Sequence, residues 1–181
     1  MAVTSSDTCA PLTRHIVSET ERQLAAGNWL LSAVRDRQAA RADWAESGVA
    51  LIPCGTLFSA IRLPADLVHA AAGTTETSAV NAYLREALHG PVFANRHADL
   101  YYSLTPASTA RHWADPGAEG VAALGKGAFL GVPHPSLTRP EPGRPYWPVP
   151  MDSPGVLCDT DAVVQLITEG HTRARQNEGD G

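Results

Sequence analysis

Val49-Ala-Leu-Ile-Pro-Cys-Gly-Thr-Leu-Phe-Ser-Ala-Ile-Arg-Leu63 is the stretch on which the fold turns. Upstream, apolar residues recur at helical spacing; within it they run together or alternate. Val49 to Ile52 is a short continuous apolar run, and Leu57 to Leu63 alternates Phe58 and Ala60 with the polar Ser59 and Arg62. Apolar runs of four to eight residues, or a period near two, mark strands. Two strands joined at Pro53-Cys54-Gly55-Thr56 are therefore predicted.

Working outward, Ile16, Val17, Thr20 and Leu24 keep helical spacing up to Gly27. After Asn28, placed as an N-cap, Trp29, Ala33, Val34, Ala40 and Trp44 continue such a face to Ser47-Gly48. Two antiparallel helices, or one long helix broken at Gly27-Asn28, both fit this N-terminal segment, residues 1–47. On the other side, Pro64-Ala65-Asp66 opens a short helix ending near Gly73. Glu76 to His89 is a helix with Val80, Tyr83, Leu84, Ala87 and Leu88 on one face, stopped by Gly90-Pro91. Pro91 to Asn95 and Leu100 to Leu104 form a hairpin around Arg96-His97-Ala98-Asp99. Val121 to Leu124 and Ala128 to Val132 flank Gly125-Lys126-Gly127 and are predicted as a second hairpin.

Pro133 to Pro150 holds seven prolines in 18 residues, which predicts an extended strap without ladder hydrogen bonds. Asp161 to Gln176 is a last helix before the polar tail, residues 177–181. Strands interleaved with helices predict an α+β fold, a mostly antiparallel sheet with helices packed on it. Residues 48–176 make the α+β domain, one globular unit with the N-terminal helices.

At 181 residues the chain has length for one core. A net charge of -5 argues against a polyanion binder that works by bulk charge, and leaves room only for a local basic patch. Lys126 is the sole lysine among 14 basic residues, a skew that codon usage produces without any phosphate to recognise. Cys9, Cys54 and Cys158 are odd in number and widely spaced, which suits a reduced cytoplasm better than a disulfide framework or a zinc site. Met1 to Thr13 has no signal-peptide pattern, and no uncharged run reaches the ~20 apolar residues of a membrane helix, so no membrane partner is expected.

Four strings carry a resemblance: Gly48-Val-Ala-Leu-Ile-Pro-Cys-Gly55, Leu57-Phe-Ser-Ala-Ile-Arg-Leu-Pro64, Leu88-His-Gly-Pro-Val92, and Ala123-Leu-Gly-Lys-Gly-Ala-Phe-Leu-Gly-Val-Pro-His-Pro-Ser136. Together, over roughly residues 44 to 165, they resemble the N-terminal domain of bifunctional DNA primase/polymerases, in its small, divergent actinobacterial form. The resemblance implies an archaeo-eukaryotic primase-like, RRM-like sheet. Active members hold divalent metals there on carboxylates, as Mg²⁺ requires of its hard oxygen ligands. On the strand Phe58 to Leu63 this chain offers Ser59, Ala60, Ile61 and Arg62 instead. The resemblance thus implies a catalytically degenerate domain with no catalytic and no metal residues. Mg²⁺ or Mn²⁺ would be a cofactor only if nucleotidyl transfer survived.

Several residues are candidates for binding. Arg62, Arg96 and His97 would form a basic strip if their strands are neighbours, and Tyr102 would stack a base of single-stranded nucleic acid or nucleotide. The family's histidine lies close to the position of His97. Lys126 in its glycine-flanked turn would bring an ammonium to a phosphate, without the spacing of a P-loop. Asp159-Thr160-Asp161, the one D-x-D, reads as a helix cap before it reads as a metal pair. Cys54 would need a positive neighbour to act as a nucleophile, and reads first as a small buried hydrophobe. Trp29, Trp44, Trp113 and Trp147 read first as packing residues, with a docking aromatic as the second reading of Trp147. The competing expectation is a protein-interaction or scaffold module that uses the Pro133–Pro150 strap and the N-terminal helical pair.

Overall fold

The computed structural model of the chain describes residues 17–114 and 117–179. Cys9, His15, Ile16, the stretch Met1 to Thr13 and the last two residues of the polar tail lie outside them.

Helix α1 (Glu19–Leu31) starts with a capping box, in which Ser18 and Glu21 satisfy each other's backbone N–H groups. It runs through Gly27-Asn28 without a break, because Gly27 faces the strap, with Pro135 and Trp44 alongside. The interruption comes instead at Ser32 to Asp36, and Asp36, not Asn28, caps α2 (Arg37–Ser47) by accepting from the Gln38 and Ala39 amides. The two-helix alternative is therefore the right one, with its turn moved.

Strands β1 (Val49–Pro53) and β2 (Phe58–Pro64) follow. Then come α3 (Ala65–Ala72), α4 (Thr77–Leu88), β3 (Val92–Asn95) and β4 (Leu100–Pro106). After these come α5 (Thr109–His112), β5 (Ala122–Leu124), β6 (Phe129–Pro133), β7 (Tyr146–Val149) and α6 (Thr160–Gly179). The architecture is α+β: a five-stranded antiparallel sheet in the order β5-β2-β4-β3-β7, and a two-stranded antiparallel ribbon of β1 and β6.

The hairpin predicted around Arg96 to Asp99 forms, and two strands joined at Pro53 to Thr56 are present as β1 and β2, but the second hairpin, around Gly125 to Gly127, does not form. β1 pairs with β6, and β2 with β5, so neither strand pairs with its sequence neighbour. The chain does something else with these four segments. β1–β2 and β5–β6 run alongside each other, β1 with β6 and β2 with β5, and between the two ladders both segments turn at one corner, closed by the local bonds Gly55 N to Phe58 O and Ala128 N to Gly125 O. The register moves by two residues there, from Pro53 opposite Phe129 to Ala60 opposite Leu124. Gly55 makes the corner: its φ is +85°, and a Cβ on it would stand 2.4 Å from the backbone nitrogen of Lys126.

Each face of the large sheet carries its own core, as the two-residue period of a strand demands. Ile61, Leu63, Val92, Ala94 and Tyr101 pack under α3, α4 and α6. Phe58, Ala60, Phe93 and Leu104 pack with Ile52, Leu130 and Val132 of the ribbon and with Leu30 and Trp44 of the helical pair. The N-terminal helices therefore share the core of the domain.

The strap also differs from expectation. Its last residues form β7, the edge strand beside β3, where Pro148 is tolerated because one side of an edge strand needs no donors. Trp147 packs, as its first reading expects, and does not dock: it is buried, donates to the Pro133 carbonyl, and meets Phe93 edge-on at 5.2 Å. Helix α6 continues past Gln176 to Gly179, and its Arg173 ties it down by donating to Ala71 O at the end of α3 and pairing with Glu169.

Candidate functional site

Between α1, α2 and the strap lies a cleft of about 540 Å³. Leu24, Gly27 and Leu31 form its α1 wall, Arg41 and Trp44 its α2 wall, and His134, Leu137 and Arg144 its strap wall. Volume and lining fall within the range of ligand clefts, apolar with a few placed polar groups.

Trp44 is fixed twice. Its Nε1 donates to Val132 O at 2.9 Å, and its ring stands edge-on to the His134 imidazole, with centroids 5.2 Å apart. Nδ1 of His134 accepts the Ser136 backbone N–H at 3.2 Å and lies 2.7 Å from the Ser136 hydroxyl. That network places the ring proton on Nε2. Burial holds the imidazole pKa below its ordinary value, so the ring is neutral at pH 7. The Ser–His pair is a local turn lock: the same Nδ1 serves the backbone, which a base poised for a nucleophile would not do. At the exposed rim, Arg41 donates to Asn28 Oδ1 at 3.1 Å, and Arg144 faces Glu141 at 3.6 Å.

The sequence candidates fall elsewhere and do not converge. Arg62 and Tyr102 are directly opposite in the β2/β4 ladder, as the neighbouring-strand condition requires. Arg62 Nε donates to Gly120 O at 3.1 Å, and Tyr102 stacks on Phe93 at 4.9 Å. Burial raises the Tyr102 phenol pKa, with the Arg62 charge pulling the other way. Arg96 lies toward the other face, lining a small cavity of about 110 Å³ with Tyr101 and Tyr146. His97 sits in the exposed β3–β4 turn with Gly143 of the strap against its ring. Lys126 is exposed at the corner beside Gly55. The strip of Arg62, Arg96 and His97 is thus split between two faces.

Ser59 and Arg62 point to opposite faces of β2. Ser59 is fully buried and donates to Ala107 O at 2.9 Å. Both sheet faces are covered, one by helices and one by the ribbon and the helical pair. Asp159 caps α6 by accepting the Asp161 amide at 2.8 Å. Among the described residues no three His, Cys, Asp or Glu gather into a metal-sized group. Burial pushes the Cys54 thiol up to about 11 and Cys158 up to about 12, which keeps both protonated and unreactive at neutral pH. No helix of the described residues is long and apolar enough to cross a membrane.

The helical pair and the strap were named from sequence as surfaces; the cleft residues Arg41, Trp44 and His134 were not named as a site. The signal was weak: Trp44 reads as one more core position, and His134 as an isolated histidine. No family model, no curated protein and no solved structure matches the chain.

Proposed function

We propose that the chain is a cytoplasmic protein-interaction module whose ligand site is the cleft between the α1–α2 pair and the strap. The observation that carries this reading is the Trp44–His134 pair inside a mainly apolar cleft whose charged lining is Arg41, Arg144 and Glu46; Arg144 faces Glu141, which leaves Arg41 as the guanidinium for an incoming acid. The occupant that fits is a partner segment with one leucine or aromatic side chain next to a carboxylate. The apolar anchor would fill the cleft, and Arg41 would take the acid, a planar fork matched to carboxylate geometry.

The test is a titration of the full chain with a panel of labelled peptides, each with one apolar anchor flanked by glutamates. Anisotropy reads binding, and the difference in tryptophan emission between wild type and Trp44→Phe, in a chain with four tryptophans, reports on Trp44. Binding at micromolar affinity, weakened tenfold or more by Arg41→Ala and by Leu24→Asp, supports the reading. Binding by none of the panel, or binding that both variants leave intact, overturns it.

A second reading is a catalytically degenerate primase/polymerase-like domain that holds single-stranded nucleic acid or nucleotide in a replication or mobile-element setting. One observation favours it: Arg62 beside Tyr102, a cation next to a half-buried aromatic ring. Arg96, His97 and Lys126 would then contribute from separate surfaces. Affinity for single-stranded DNA that falls steeply with salt and vanishes in Arg62→Ala supports this reading; no binding at low salt removes it.

A further inference from the structure

The two-residue period of the large sheet brings Tyr101 of β4 and Tyr146 of β7 to the same face, one on each side of Ala94 of β3. A methyl group between two phenols leaves a hollow, and the cavity of about 110 Å³ lies there. His69 of α3 and Thr77 of α4 line it from the helix layer, and the exposed Arg96 and Asp99 of the β3–β4 turn line it where it meets solvent. The turn itself is pinned: Asn95 Oδ1 accepts the His97 amide at 3.2 Å, and Asp99 O accepts the Ala65 amide at 2.8 Å. The volume is room for roughly three or four waters, or for one ligand of a few heavy atoms.

Three polar groups of this cavity have no partner among the described residues. Tyr101 is only 8% exposed, yet its hydroxyl makes no hydrogen bond, whereas the Tyr146 hydroxyl donates to Asn81 Oδ1 at 3.1 Å. A phenol buried this deeply ordinarily finds a partner. The other two are the Arg96 guanidinium and the Asp99 carboxylate, which share one turn and do not pair within 4 Å. Burial is the main force that raises the Tyr101 phenol, and after it Arg96 and Asp99 act on the same group in opposite directions, which brings both charges close to that hydroxyl.

We propose that this cavity binds a small zwitterion, an α-amino acid of two or three carbons. Its carboxylate takes the Arg96 guanidinium and the Tyr101 hydroxyl, and its ammonium takes Asp99. The pair of charges selects this class: a simple anion would meet Asp99 as a like charge, and a simple cation would meet Arg96. The volume excludes a bulky ligand side chain from the hollow. This site is independent of the cleft, which lies on the other face of the sheet.

Titration of the ¹⁵N-labelled full chain with L-alanine, followed through its amide shifts, tests the proposal. The expected result is saturable shifts at residues 95–101 with a dissociation constant below 5 mM. Acetate and methylammonium, which carry one sign each, should bind at least tenfold more weakly. Arg96→Gln and Asp99→Asn should each weaken alanine binding at least tenfold; asparagine tolerates the φ of +49° at position 99. Tyr101→Phe should weaken binding and leave the melting temperature in place, because the hydroxyl it removes holds nothing in the protein. A melt lowered by several degrees in Tyr101→Phe would show that hydroxyl bonded within the fold, and overturns the proposal. So does acetate or inorganic phosphate that binds as tightly as alanine, which would mean a site for anions alone. No saturable shift by 50 mM alanine, or alanine binding unchanged in both Arg96→Gln and Asp99→Asn, overturns it as well.

Discussion

The indole of Trp44 donates to the carbonyl of Val132 across 2.9 Å and so ties α2 to the back of the β1/β6 ribbon. Trp44→Phe keeps most of the packing and loses that bond, which should cost about 1 kcal/mol. Trp44→Ala also opens a cavity against Ala26 and Leu30 and should cost about 3–5 kcal/mol. Urea unfolding of both variants checks the ranking; equal losses would mean that the hydrogen bond, not the ring, holds α2.

Gly55→Ala should be among the most damaging small substitutions in the chain. It adds a Cβ at φ +85°, worth about 1–2 kcal/mol of left-handed strain, and drives it into the Lys126 backbone. Gly127→Ala carries similar strain at φ +93° but meets open space. Thermal melts should show Gly55→Ala the lower by several degrees.

Ser59→Asp combined with Arg62→Glu places two carboxylates on β2 without building a metal site, because the two side chains leave the strand on opposite faces. The double variant should show no thermal stabilisation by Mg²⁺ or Mn²⁺. It should also be less stable than wild type, since position 59 would bury a charge where a neutral hydroxyl now donates to Ala107 O. Stabilisation by either ion would show that the strand can turn both groups to one side.

How far the sequence could be read follows from where its signals are local. Val80, Leu84 and Leu88 lie on one stripe, and α4 forms where that stripe predicts; Asp159 caps α6 from two residues away. The pairing of β1 and β6 has no such local sign. Pro53 to Thr56 and Gly125 to Gly127 have hairpin composition, and nothing short-range separates a turn that reverses a strand from a corner that bends it. The register of β2 on β4 puts Arg62 opposite Tyr102, while Arg96 lies toward the other face with Tyr101, a split that the sequence of the separate strands does not disclose. The cleft needed three elements packed together, so neither Trp44 nor His134 could announce it alone.

Stability should fall as pH rises above 9. Cys54 and Cys158 begin to ionise near 9 in the unfolded chain but hold their protons to about 11 and about 12 when folded, so only the unfolded state gains by releasing them. The half-buried Tyr83 and the buried Tyr101, each raised to about 12, act in the same direction. In a Cys9→Ser background, the native protein at pH 8 should react slowly with a thiol reagent and quickly once unfolded. Fast native labelling would contradict the burial of both thiols.

His134 titrates in the opposite sense. Burial depresses its folded-state pKa below the ordinary 6.5, so its contribution is complete above that pH and is lost as pH falls toward the lower folded value. Urea midpoints from pH 8 to pH 5 should decline more in wild type than in His134→Asn. Parallel curves would show that the ring is free to take up its proton.

The pairing of β1 with β6 also sets an order of events. Val49 meets Pro133, 84 positions further along the chain, so a substantial loop-closure cost falls on this pairing. Amides of the ribbon should accordingly exchange with solvent before those of β2 and β4. Trp44, which reaches Val132 O from behind the ribbon, is then a fastener on a pairing that the local chain does little to hold, and Trp44→Phe should quicken amide exchange there before it does so in β2 and β4.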